Sequence, residues 1–187
     1  HVGGAASRTS AANSTQVRNK GTVRFHIVKT VQHAKGHLVS TSRSGEIGIA
    51  DDLGRERERY KIPYGASIIL KDGESVEAGG IVATWDPHTH PLVTEVAGKV
   101  RFSQIADGVT VTTKTDDATG MSTIEILPVT SRPASGKDLR PAVVLDTVDG
   151  GEQFYFLPQN TILSVRDGET IGVGDVIGRV PQETSRT

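Results

Sequence analysis

Apolar and polar residues alternate along short stretches of this chain, and residues with a strong preference for turns separate the stretches. The alternation is clearest in residues 22–28, 46–50, 109–113 and 122–127. A period of two places every second side chain on the same face of a β-strand. The segment 116–120, which contains two aspartates and a glycine, is typical of a hairpin turn between two of these strands. The pattern therefore predicts many short β-strands.

The composition supports the same fold class. The chain has 21 Val, 13 Ile and 20 Thr against 9 Leu, with 21 Gly and 8 Pro. Branched side chains fit a pleated sheet and lose rotamer freedom in a helix, while glycine and proline favour turns. We therefore expect an all-β protein.

An internal repeat joins two parts of the chain. Residues 60–83 align without a gap with residues 155–178, so that aligned positions lie 95 residues apart. The repeat places Asp72-Gly73-Glu74 opposite Asp167-Gly168-Glu169. Asp-Gly favours a turn whose glycine has a positive φ, and apolar residues follow at inward positions. Two tandem β modules are the predicted architecture.

The repeat and the local composition predict five segments. Residues 1–21 contain no acidic residue and are rich in small polar residues, which indicates a flexible N-terminal arm and linker. Residues 22–129 form the first module in this interpretation, and residues 130–138 form a polar linker. Residues 139–182 form a second, abbreviated module, and residues 183–187 form a tail.

Charge and cysteine content exclude several functions. The 187 residues include 21 basic and 22 acidic side chains, for a formal net charge of −1. A protein that binds nucleic acid mainly through phosphates needs clustered Lys and Arg, so any such contact is expected to be peripheral. The chain has no cysteine, which excludes a disulfide, a thiol nucleophile and a zinc site made of thiolates.

No apolar run approaches the roughly 18–20 residues that span a bilayer. We therefore expect no membrane association and a cytoplasmic location. The sequence starts with His1 and not with Met, so it is interpreted as processed, tagged or cut from a longer chain.

Candidate chemistry within the chain is sparse. No nucleophile elbow, phosphate-binding loop or paired-carboxylate site is evident, so an independent enzyme is not expected. His88 and His90 have the spacing of two metal ligands on one strand face, with Asp86 as a third candidate. The neighbouring prolines favour a different interpretation, in which this loop is rigid and holds Trp85 in place.

The repeat itself resembles the barrel-sandwich hybrid fold, also called the sandwich-barrel hybrid. Biotinyl and lipoyl carrier domains and several modules of multisubunit RNA polymerases share this fold. A carrier needs an exposed lysine at a hairpin tip, and biotin carriers flank it with methionines. The only methionine is Met121, and Lys99 follows Gly98 where carriers have an unmodified strand. A carrier or a stand-alone β binding protein with two modules remains the alternative.

A second resemblance is more specific and covers essentially the whole chain. Six stretches are similar to the large insertion that interrupts the trigger loop of the bacterial RNA polymerase β′ subunit in proteobacteria: residues 1–8, 17–21, 59–66, 85–89, 136–141 and 180–183. This resemblance implies two sandwich-barrel hybrid modules. It also implies a non-catalytic domain that moves with the trigger loop and modulates nucleotide addition, pausing and transcript cleavage.

The resemblance also implies one catalytic residue and a set of partners. His1 corresponds to the histidine that contacts the nucleoside triphosphate, so it is a catalytic candidate only in the intact subunit. The isolated chain is expected to be inactive and to hold no cofactor, while Mg²⁺ and Zn²⁺ are expected elsewhere in the full subunit. The implied partners are the other subunits of the core enzyme, and the DNA template and nascent RNA through the whole enzyme. A contact with downstream DNA would be peripheral.

Overall fold

The computed structural model describes residues 13–182, and the alternating stretches form β-strands there. Besides the strands, residues 13–182 contain two 3-10 turns, Val129–Ser131 and Ala134–Gly136. The strands of the first half are β1 Ser14–Gln16, β2 Gly21–His26, β3 Thr30–Gln32, β4 Leu38–Ser40, β5 Glu46–Ala50, β6 Glu56–Lys61, β7 Ser67–Ile68, β8 Ser75–Val76 and β9 Ile81–Thr84. Those of the second half are β10 Thr89–Val93, β11 Gly98–Ser103, β12 Val111–Thr115, β13 Ser122–Ile126, β14 Ala142–Asp146, β15 Glu152–Phe156, β16 Ile162–Leu163, β17 Thr170–Ile171 and β18 Val176–Pro181.

The first unit extends to His88 and contains two antiparallel sheets. One sheet has the order β1-β9-β7-β4-β3, and the other has the order β6-β5-β2-β8. Alternate residues of the strands point inward, as their period of two predicts. The buried side chains form one apolar core, whose largest members include Ile47, Ile49, Ile62, Ile68 and Val82.

The second unit starts at Thr89 and repeats this arrangement strand for strand. Its sheets have the orders β10-β18-β16-β13-β12 and β15-β14-β11-β17, so each strand has a counterpart in the first unit. The core of the second unit includes Val100, Ile126, Leu145 and Ile177. The all-β prediction is confirmed, and each unit is compatible with a sandwich-type module.

The repeated Asp-Gly-Glu motif has the same structural role in both units. The Asp72 carboxylate accepts a hydrogen bond from the Phe25 amide at 2.9 Å, and the Asp167 carboxylate accepts one from the Phe102 amide at 3.0 Å. Gly73 and Gly168 both have φ of 89°, a left-handed conformation that glycine adopts without steric cost. The motif therefore joins a tight turn to a neighbouring strand, which accounts for its repetition.

The boundary between the two units lies between His88 and Thr89, and not near residue 130 as the repeat suggested. Residues 89–129, which the sequence interpretation assigned to the first module, lie in the second unit. The reason is long-range pairing, because β10 pairs with β18 and β11 pairs with β14 and β17. With nine strands, the second unit is not abbreviated.

Two segments interpreted as linkers are structured. In the first of them, residues 1–21, β1 pairs with β9 and Val17 is buried in the core. Residues 1–12 and the predicted tail 183–187 lie outside the described residues. In the second, the Arg132 side chain is only 7% exposed. Its guanidinium donates to the carbonyl of Leu127 at 3.0 Å and to those of Gly136 and Leu139 at 3.1 Å. These bonds fix the segment although its composition is polar.

Candidate functional site

Asn13 is the first described residue of the first unit. His1 itself lies outside the described residues, so its catalytic role stays a prediction. The carbonyl of Asn13 accepts a hydrogen bond from the Trp85 amide at 2.9 Å. This contact places the start of the described chain beside the single tryptophan.

A pocket of about 710 Å³ lies along β1 in the first unit, and we call it the β1 pocket. Its walls include the rings of Tyr60 and Trp85 and the polar side chains of Gln16, Arg18 and Lys61. Gln16 is held in position by a hydrogen bond from its Nε2 to the Gly79 carbonyl at 2.9 Å. The pocket offers aromatic surface, cations and hydrogen-bond donors, which suits contact with another chain more than bond cleavage.

Glu58 organises the turn between β1 and β2. Its carboxylate accepts hydrogen bonds from the Arg18 amide at 2.9 Å and from the amide and side chain of Asn19, both at 2.8 Å. The Tyr60 hydroxyl also donates to it. We refer to these four residues as the Glu58 cluster. Sequence analysis assigned no role to Glu58, although this residue lies in the charged run Arg55-Glu56-Arg57-Glu58-Arg59.

The cluster shifts two pKa values in opposite directions. Burial raises the pKa of Glu58, but the hydrogen bonds from Tyr60, Arg18 and Asn19 outweigh burial and leave the pKa below its usual value. Burial and the hydrogen bond to Glu58 raise the pKa of Tyr60 to about 12. At neutral pH the carboxylate is therefore charged and the phenol is neutral.

A second charged network covers the outer face of the first unit's four-stranded sheet. Glu56 lies 2.5 Å from Nε2 of His26 and accepts from Nε of Arg59 at 2.6 Å, and Arg59 also reaches Glu46 at 3.2 Å. The hydrogen bond from Arg59 lowers the pKa of Glu56; burial opposes this shift, and the hydrogen bond from His26 adds to it. A Cβ at Gly48 would lie 2.0 Å from the Glu56 carboxylate, so the glycine leaves room for the network.

The corresponding face of the second unit is partly aromatic. Phe154 and Phe156 of β15 are 43% and 48% exposed, and the guanidinium of Arg140 lies 3.9 Å from the centre of the Phe156 ring. We call these three residues the Phe154–Phe156 surface. Sequence reasoning missed it, although the run Phe154-Tyr155-Phe156 contains two of the four phenylalanines in the chain.

The metal and carrier alternatives find no supporting geometry in residues 13–182. That part of the chain contains no group of three or more His, Cys, Asp or Glu side chains arranged to hold a metal ion. Asp86 accepts a hydrogen bond from the His88 amide at 2.8 Å, which is a contact within its own loop. Lys99 lies in β11, where it pairs with Asp146 of β14 and Thr170 of β17, so it does not occupy a hairpin tip. No helix in the same range is long and apolar enough to cross a membrane.

Comparison with known proteins relates the whole chain to one kind of subunit. All 187 residues align at 90% identity with DNA-directed RNA polymerase subunit β′ of Acinetobacter baylyi and of Acinetobacter baumannii. The same subunit of Pseudomonas fluorescens is 57% identical over 196 aligned residues. The chain spans about 13% of the length of the Acinetobacter relatives. No family model matches the chain.

Proposed function

The whole of this chain is homologous to a segment of DNA-directed RNA polymerase subunit β′, and we propose that it is the insertion domain that interrupts the trigger loop of that subunit. The observation that carries the proposal is the 90% identity over all 187 residues to a segment that makes up 13% of the relative. The two nine-stranded units support it, because the resemblance to the insertion implies a pair of sandwich-barrel hybrid modules.

The proposed role is mechanical. A folded body attached to a moving loop changes its surroundings when the loop folds, so its contacts in the two positions bias the open and closed states. A difference of about 1.4 kcal/mol in these contacts changes the closed-to-open ratio tenfold. The insertion would thereby modulate nucleotide addition, pausing and transcript cleavage. The hydrogen bond between Asn13 and Trp85 supports force transfer at one attachment point, since it ties the incoming chain to the first unit.

The wider setting follows from the same proposal. The chain would act in the cytoplasm as part of a nucleotidyltransferase, with the other polymerase subunits as its main contacts. Template DNA and nascent RNA would be met through the whole enzyme, and the net charge of −1 favours at most a peripheral contact with downstream DNA. Catalytic Mg²⁺ and structural Zn²⁺ would be held elsewhere in the subunit, and His1 would contact the nucleoside triphosphate.

A deletion tests the modulatory role. Residues 14–182 of the full subunit are replaced by a short Gly/Ser linker, and single-nucleotide addition and pause lifetime are measured on the assembled enzyme. We expect addition to persist while pausing or transcript cleavage changes. The matched control is His1→Ala with the insertion intact, which we expect to slow addition itself. Loss of assembly, or loss of addition in the deletion variant, would contradict the proposal.

A further inference from the structure

The two units protect equivalent sheet edges differently. β6 and β15 are the outermost strands of their four-stranded sheets. The β6 sequence Glu-Arg-Glu-Arg-Tyr-Lys has five charged side chains, whereas the β15 sequence Glu-Gln-Phe-Tyr-Phe has one. Natural proteins place charges on edge strands because an unprotected edge pairs with other chains. By this criterion β6 is closed to pairing and β15 is open.

The ladder between β14 and β15 shows which backbone groups point outward. The Leu157 amide donates to the Pro141 carbonyl at 3.0 Å, and the Thr147 amide donates to the Gly151 carbonyl at 3.0 Å. Hydrogen-bonded and non-hydrogen-bonded pairs alternate along an antiparallel ladder. The backbone N–H and C=O groups of residues 153 and 155 therefore point toward β14. The N–H and C=O groups of Phe154 therefore point away from β14, as do those of the other even-numbered residues of β15.

The side chains next to this edge form a surface of defined chemistry. The rings of Phe154 and Phe156 lie 6.0 Å apart at an angle of 25°, so they share one face of the sheet. A pocket of about 390 Å³ lies beside Phe156 and is also lined by Val129 and Arg140. Exposed apolar residues that adjoin a pocket are characteristic of interaction sites.

Arg140 supplies the charge at this surface. Its guanidinium lies over the Phe156 ring, and within residues 13–182 it takes part in no ion pair. By contrast, Arg59 and Arg101, on the equivalent sheets, each bind two carboxylates. A cation next to apolar surface, with no carboxylate of its own, is complementary to an acidic side chain from outside.

We propose that the edge of β15 is a docking site for an extended segment of a partner protein. The segment adds to the sheet as a fifth strand, rests alternate apolar side chains on Phe154 and Phe156, and places a carboxylate against Arg140. Main-chain hydrogen bonds give such a contact its affinity, and the side chains next to the edge give it specificity. This site is distinct from the motion assigned to the domain and does not depend on it.

The test uses the 187-residue chain and a library of displayed ten-residue peptides. We expect the enriched peptides to alternate apolar and polar positions and to contain Asp or Glu. Their binding should fall at least tenfold in the double variant Phe154→Lys/Phe156→Lys, which gives β15 cations like those of Arg59 and Lys61 in β6. Arg57→Ser, on the equivalent edge of the first unit, is the control and should leave binding unchanged.

Two further measurements separate strand addition from simple apolar contact. The peptide has two sets of alternate amides, and only one set faces β15. N-methylation of that set should reduce binding at least tenfold, whereas N-methylation of the other set should change binding little. Arg140→Glu should shift the enriched sequences from acidic to basic, and it keeps the test valid if the double lysine variant does not fold. The proposal is overturned if no peptide is enriched, if N-methylation has no effect, or if sedimentation shows that this edge instead pairs two copies of the chain.

Discussion

The two units hold the same turn with different chemistry. In the first unit, the turn after β1 is fixed by the Glu58 carboxylate, which accepts from the Arg18 and Asn19 amides. In the second unit, the turn after β10 is fixed by hydroxyl groups: the Glu95 amide donates to the Tyr155 hydroxyl at 3.1 Å, and that hydroxyl lies 3.1 Å from Thr94 Oγ1. The same topology therefore accommodates a turn held by a charged carboxylate and a turn held by hydroxyl groups. We expect the carboxylate turn to be the one that weakens in acid.

The outer faces of the four-stranded sheets differ in the same sense. Gly48 in the first unit occupies the position of Val144 in the second, since these residues pair with Arg24 and Arg101 at equivalent places. Glycine leaves space for the charged network around Glu56, whereas Val144 is fully buried on a face that carries Phe154. At this position the first face is therefore polar and the second is apolar, although Arg101, Asp146 and Glu152 form ion pairs on the second sheet near the turn between β14 and β15.

The largest expected effect comes from exchanging these two residues. Val144→Gly removes a buried side chain and adds backbone entropy to the unfolded state, so it should destabilise the second unit by about 3 kcal/mol. Gly48→Val displaces the Glu56 carboxylate and should cost the first unit about 1 kcal/mol. Urea unfolding measures both changes, with Trp85 fluorescence reporting the first unit and circular dichroism reporting both. The control Val148→Gly, at an exposed turn residue, should change stability by less than about 0.5 kcal/mol. Equal losses for Val144→Gly and Gly48→Val would contradict the comparison of the faces.

Substitutions in the turns after β1 and β10 should have a smaller effect on the free energy of unfolding. Glu58→Gln replaces one acceptor oxygen by an amide that cannot accept, so it leaves at least one of the four donors without its partner. We expect a loss of about 1–2 kcal/mol in the unfolding of the first unit. Tyr155→Phe removes the acceptor of the Glu95 amide and should cost the second unit about 1 kcal/mol. Both values are read from urea unfolding at pH 7. A larger loss for Tyr155→Phe would show that the neutral turn is the more dependent on its hydrogen bonds.

Lowering the pH should destabilise the turn after β1 more than the turn after β10. The pKa of Glu58 is lowered from the ordinary 4.5 in the folded state, so its contribution to stability is present above pH 4.5 and is lost as pH falls through the folded value. Thermal unfolding between pH 6 and pH 3, followed by Trp85 fluorescence, should show this loss in the unchanged chain and a smaller one in Glu58→Gln. The matched control Tyr155→Phe should leave the pH dependence unchanged, because this substitution leaves the Glu58 carboxylate and its four donors in place.

The smallest effect concerns the hairpin of β3 and β4. His33 and His37 stack there with ring centres 4.7 Å apart, whereas the segment 111–126 of the second unit contains no histidine. Burial, together with the charges of His33 and Lys35, lowers the pKa of His37 from 6.5, so the associated stability is present above pH 6.5 and is lost as pH falls below it. Hydrogen exchange at pH 7 and pH 5, corrected for intrinsic rates, should show weaker protection of residues 32–38 at pH 5. The loss should disappear in His37→Gln, and a similar loss in residues 111–126 would contradict the assignment.

Part of the candidate site could be predicted from the sequence, and part could not. The resemblance predicted the relation to the polymerase subunit, which the comparisons confirm, while the role of His1 stays a prediction. Glu58 could not be identified in advance, because its partners Arg18 and Asn19 lie about 40 residues away with no repeated signal. The Phe154–Phe156 surface depends on which strand lies at an edge, and sheet order is a tertiary property.

The sequence by itself determined the strands, the repeat and the turn geometry. Alternation and turn preferences involve only a few neighbouring residues, which is why Gly65 and Asn160, aligned in the repeat, both adopt a positive φ. Only the tertiary structure decided which strands pair and where one unit ends. The pairing of β10 with β18 brings Thr89 against Pro181, and no local pattern favours this over pairing with nearer strands. Burial of a common core selects the partner, and that selection requires the whole fold.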